Sequence, residues 1–147
     1  MAAESAPSVF RSTSEGGAAF DPAKFAKIQT ALEKQGVTFV AGEEGRRLAQ
    51  ALGGEALYWP AEVGKPGIMV FGPSPTRAQV VEEQLHYGQY KALGFGPISD
   101  KVVDLELQAQ DKLLQVGPRL GWSDQELSQI QRARDQWQQL KQGSGGP

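Results

Sequence analysis

Residues 75–90, PTRAQVVEEQLHYGQY, decide how the chain folds and where its chemistry is sought. Thr76 with Gln79 three positions on forms a capping box, in which each side chain satisfies the other's backbone amide at a helix start. Ala78, Val81, Leu85 and Gly88 then recur at helical spacing, so a helix is expected from Thr76 to about Lys91. This helix carries the chain's only histidine, His86, four residues after Glu82. Side chains at i and i+4 lie about 6 Å apart on one face, so Glu82, His86 and Gln89 are expected along the margin of the apolar stripe. A carboxylate and an imidazole at that spacing can grip one divalent cation, with zinc or manganese the ions of suitable hardness. Glu83 projects about 100° away around the same helix. Tyr90, one turn after His86, offers a phenol that can donate a hydrogen bond to a developing oxyanion. The plainer alternative is a solvated helix face on which His86 pairs with Glu82 or Glu83.

Downstream, GFGP breaks the helix and SDKVVDLELQAQDKLLQVG begins another, with Val102, Ala109, Leu113 and Val116 as its apolar stripe. Glu106 falls in the middle of that stripe. An unpaired buried carboxylate costs several kcal/mol, so Glu106 calls for a partner: His86, an ion shared with it, or a salt bridge to Arg77 or Lys91. A last helix, SDQELSQIQRARDQWQQLKQ, repeats the capping box at Ser123 and Glu126 and lines Leu127, Ile130, Ala133, Trp137 and Leu140 along one face. Upstream, Asp21 and Pro22 start a helix that ends at Gly36, followed by the short strand VTFV (37–40) and a helix in EEGRRLAQALGG. ALYW (56–59) and GIMVF (67–71) read as two further strands. The expected fold class is α+β: one domain over residues 21–141, with a small sheet of about three strands, helices before it and a helical C-terminal half. Residues 1–20 and 142–147 are expected as flexible tails.

A length of 147 residues with 39% hydrophobic content suits one domain with its own core. A net charge of −2 with scattered lysines and arginines lacks the footprint of a nucleic-acid binder. No apolar run approaches the roughly 20 residues of a membrane span, and the N-terminus lacks the basic and apolar regions of a signal peptide. With no cysteine in the chain, metal ligands are limited to Asp, Glu, the one His and water. FRSTSE resembles the Ser-Thr-Ser element of ADP-ribosyltransferases, without that family's arginine-bearing strand before it or glutamate-rich loop after it.

E-E-x-x-H at Glu82 to His86, with Glu106 twenty positions beyond, resembles the H-E-x-x-H helix of zincin metallopeptidases whose third ligand is a glutamate on the next helix. The resemblance implies a zincin-like arrangement in which Glu82, His86 and Glu106 hold the metal and Glu83 activates water. It also implies that GIMVF is the edge strand that binds extended substrate, and that Tyr90 or an amide of this strand steadies the oxyanion. Glu82 stands where the family has its first histidine, which adds negative charge and makes bound water less acidic. From about Phe20 to Leu140 the succession of elements resembles C-terminal effector (toxin) domains of bacterial polymorphic toxin systems. That implies a peptidase-like hydrolase, a secreted delivery protein with a specialised secretion system in place of a signal peptide, and a cognate immunity protein as partner. A cytoplasmic setting is the other localisation considered. Two other functions are compatible with the residues: a non-catalytic protein-binding module, and a nuclease holding Mg²⁺ at Glu82, Glu83 and Glu106.

Overall fold

The computed structural model describes residues 10–12 and 17–144. Its elements, in chain order, are β1 (Phe10–Ser12), α1 (Pro22–Lys34), β2 (Thr38–Val40), α2 (Gly42–Ala51), β3 (Ala56–Trp59), β4 (Ile68–Phe71), α3 (Arg77–Ala92), α4 (Val102–Val116), a 3₁₀ turn (Pro118–Leu120) and α5 (Asp124–Ser144). The α+β class and the helical C-terminal half are as expected. The sheet has a fourth strand beyond the three expected, in the order β1-β3-β4-β2. β3 pairs antiparallel with both β1 and β4, and β2 pairs parallel with β4.

The helix starts follow from their caps. Asp21 accepts from the Ala23 amide with Pro22 at the first helical position, and Thr76 and Gln79 make both halves of the capping box. Ser123 and Glu126 do the same before α5. Gly36, at φ +97°, ends α1 in a conformation that costs glycine little.

The alternation of strand side chains divides the core in two. Ala56, Tyr58, Met69 and Phe71 face α1 and α3, and pack with Phe10, Leu32, Val80, Tyr87 and Tyr90. Leu57 and Val70 face the other way, onto Leu48 and Ala49 of α2 and Leu52 just beyond its end. α2 can sit this close because it carries Gly45, where a Cβ would come within 2.0 Å of the Phe71 carbonyl oxygen. A third cluster of Ala78, Leu113, Trp122 and Ile130, with Val81, Leu85 and Leu127 against it, joins α3, α4 and α5.

Two boundaries differ from the sequence reading. Within the expected tail 1–20, Phe10–Ser12 is a strand, and Ala18 accepts from the Arg77 amide while Phe20 donates to Pro75. α5 runs on to Ser144, past the expected tail start at 142. Of the two expected tails, residues 1–9, 13–16 and 145–147 lie outside the described residues.

Candidate metal centre

α3 has two apolar faces where pattern reading gives one. Val80, Tyr87 and Tyr90 pack toward the sheet, while Ala78, Val81 and Leu85 pack toward α4 and α5. The polar residues expected at a margin therefore lie in a closed seam between two buried faces. Glu82 is 5% exposed, Glu83 and His86 0%, and Glu106, from the facing α4, 1%. A solvated E-E-x-x-H face is thereby overturned.

Glu82, His86 and Glu106 are brought together as the spacing implied. His86 Nε2 lies 3.0 Å from Glu106 Oε1 and 3.9 Å from Glu82 Oε2. One ligand atom from each of the three falls within 4.8 Å of the others, close enough to bind a metal ion. The ring's opposite nitrogen, Nδ1, is 2.9 Å from Gln89 Oε1, and Gln89 Nε2 donates to the Leu105 carbonyl at 2.9 Å. Since an amide oxygen only accepts, Nδ1 carries a proton and Nε2 is the nitrogen turned to the carboxylates. Gln110 Nε2 donates to Glu82 Oε2 at 3.2 Å. The Phe10 ring stacks on His86 with centroids 4.1 Å apart and planes 16° from parallel, covering the imidazole from the β1 side.

The polar atoms of the seam are short of partners. Despite the 3.0 Å approach, His86 Nε2 and Glu106 Oε1 are not in hydrogen-bond alignment, and neither they nor either carboxylate oxygen of Glu83 has a hydrogen-bond partner among the described residues. Burial pushes the Glu83 carboxyl well above its usual range, the charges of Glu82 and Glu106 push it further, and the nearby Tyr58 backbone amide only partly opposes them. For His86 burial is the largest single influence and disfavours the imidazolium. Glu106, Glu82 and Gln89 together outweigh it and raise its pKa. The unpartnered His86 Nε2 and Glu106 Oε1, beside Glu82, suit a divalent cation, whose charge cancels that of Glu82 and Glu106.

Other expectations fail on specific contacts. Arg77 is not available to Glu106: its guanidinium grips Glu126 at 2.7 and 3.0 Å and donates to the Gly121 carbonyl. Lys91 donates to Gln35 at 3.2 Å. β4 is an interior strand paired on both sides, so GIMVF is not an edge that can take up substrate. The Tyr90 hydroxyl donates to the Glu62 carbonyl at 3.1 Å, and its ring packs on Tyr58 and Phe95. Sequence reading missed Gln110 and Phe10. Gln110, one turn after Glu106, was signalled by being a second polar residue beside the apolar stripe of α4. Phe10 left no local signal.

No protein-family model, curated protein or solved structure matches the chain.

Proposed function

We propose that the chain is a bacterial effector (toxin) domain with a metal-dependent, peptidase-like hydrolase site at Glu82, Glu83, His86 and Glu106. The observation that carries the metal reading is the convergence of three buried ligand atoms within 4.8 Å, with His86 Nε2 turned toward both carboxylates. Zinc or manganese fits one imidazole and two carboxylates. A bound divalent cation supplies Lewis acidity. Glu82, His86 and Glu106 would hold it, beneath the Phe10 ring that stacks on His86. Glu83 is near enough to Glu82 and Glu106 to feel both charges, yet makes no hydrogen bond that fixes its carboxyl, so it is the group placed to hold or move a proton. The effector role, a secreted carrier and a cognate immunity protein rest on the sequence pattern from Phe20 to Leu140.

A second reading is favoured by the burial of the cluster beneath Phe10: a structural metal centre in a non-catalytic protein-binding module. Expression of the domain in bacteria separates the two. The hydrolase reading predicts growth arrest by the wild type and none by Glu83→Ala, with equal metal content in both. Equal growth of both strains would leave the structural centre.

A further inference from the structure

We propose that Gln89 and Gln110 are the positioning residues of this cluster, setting the tautomer of His86 and the orientation of Glu82 before any cation arrives. The proposal rests on the metal reading above and adds how the site is held. The two amides are reciprocal. Gln89 stands on α3, accepts from His86 Nδ1 and donates across the seam to the carbonyl of Leu105, the residue before Glu106 on α4. Gln110 stands on α4 and donates back across the seam to Glu82 on α3.

Each contact has a chemical consequence. A neutral imidazole carries its proton on one nitrogen or the other, and the acceptor at Gln89 places it on Nδ1. The lone pair is then on Nε2, the atom 3.0 Å from Glu106 and 3.9 Å from Glu82. With the opposite tautomer, Nε2 would present a proton to the cation site. Gln110 acts on the other ligand. Its amide fixes the Glu82 oxygen that lies nearest His86, so the carboxylate meets the ion without reorienting. Because both amides are neutral, the ligand set carries the two charges of Glu82 and Glu106 alone. A carboxylate in place of either glutamine would add a third, which one divalent ion leaves uncancelled in a buried site.

Because the chain has one histidine, ¹⁵N-histidine labelling reports His86 alone. The metal-free protein is measured at a pH high enough to keep the ring neutral. Wild type should show the Nδ1-protonated tautomer, Gln89→Leu should lose that preference, and Gln89→Glu, which can still accept, should restore it. Gln89 borders an open cavity of about 420 Å³ beside Leu93 and Asp104, so these variants leave no sealed void. Gln110→Leu should keep the tautomer yet bind Zn²⁺ at least about tenfold more weakly, the usual effect of losing a partner of a metal ligand. A wild type with the Nε2-protonated tautomer, or an unchanged tautomer in Gln89→Leu, overturns the role of Gln89. Unchanged zinc affinity in Gln110→Leu overturns that of Gln110. A wild type with the expected tautomer but no zinc binding overturns the metal reading and the role of Gln110, and leaves Gln89 as the group that sets His86.

Discussion

Replacing Glu83 by Gln tests whether the seam holds a neutral carboxylic acid. The exchange keeps volume and shape and removes one ionisable group. In the folded metal-free protein the Glu83 carboxyl titrates well above its usual 4.5, through burial first and then the charges of Glu82 and Glu106, whereas in the unfolded chain it ionises normally. Above pH 4.5 the unfolded state therefore binds fewer protons, and stability falls as pH rises. The contribution is fully present below the unfolded value and is lost as pH climbs through the folded one. For one proton the steepest slope is about 1.4 kcal/mol per pH unit. His86, also raised, has the same sign and sets in from about a unit below its unfolded value of 6.5, but it is present in both proteins and drops out of their difference. Between pH 5 and 6.5 the difference between the two proteins belongs to Glu83. Urea unfolding of metal-free wild type and Glu83→Gln, at half-unit steps across that window, should show wild type losing stability relative to the variant as pH rises, by at most about 1.4 kcal/mol per unit. Parallel profiles would mean that Glu83 is ionised in the fold, and the reasoning about an unpartnered buried acid would be wrong.

Glu106→Leu should leave the metal-free melting temperature unchanged or raised while abolishing zinc retention, because a hydrocarbon replaces a buried carboxylate whose Oε1 has no hydrogen-bond partner among the described residues. A large loss of melting temperature without metal would show Glu106 to be a structural partner instead. Arg77→Ala should lower stability in urea unfolding at neutral pH, since Glu126, only 4% exposed, keeps its bonds to Ser123 and Ala18 but loses its cationic partner. The Arg77 hydrogen bonds hold the Glu126 carboxyl down at about 2, so that clamp's contribution is present above the usual 4.5 and is lost as pH falls through about 2. Acid unfolding of wild type should be steep there and shallower in Glu126→Gln. Gly45→Ala should destabilise by about 2 kcal/mol or more, because its methyl would meet the Phe71 carbonyl. A neutral result in thermal melts would show that α2 can slide off the sheet freely.

What the sequence made legible was set by local rules. ALYW is β3 residue for residue, and Thr76 with Gln79 fixed the start of α3, because alternation and capping depend on neighbours along the chain. That Glu106, an acid in the apolar stripe of α4, needs a partner was legible, but the choice among His86, Arg77 and Lys91 was left open by the sequence. The burial of Glu82 and His86 was not. A single-stripe reading of α3 omits its second packing face, which exists only once α4 and α5 fold onto it. β1 was illegible for a related reason: three residues, Phe10–Ser12, carry no periodicity, and their pairing partner Ala56–Tyr58 lies more than forty residues away. The interior place of β4 depends on that same nonlocal order and on the parallel return of β2. Gln89 and Gln110 became meaningful only when their amides were seen to cross between helices.

The claim that Glu82, His86 and Glu106 form one metal centre is tested most directly by titrating Zn²⁺ into the metal-free full chain by calorimetry, beside His86→Ala and Glu106→Leu. The account predicts one ion per chain for the wild type and no binding in either variant, both still folded by circular dichroism. Wild-type protein that takes up no ion, or variants that bind as the wild type does, would contradict it.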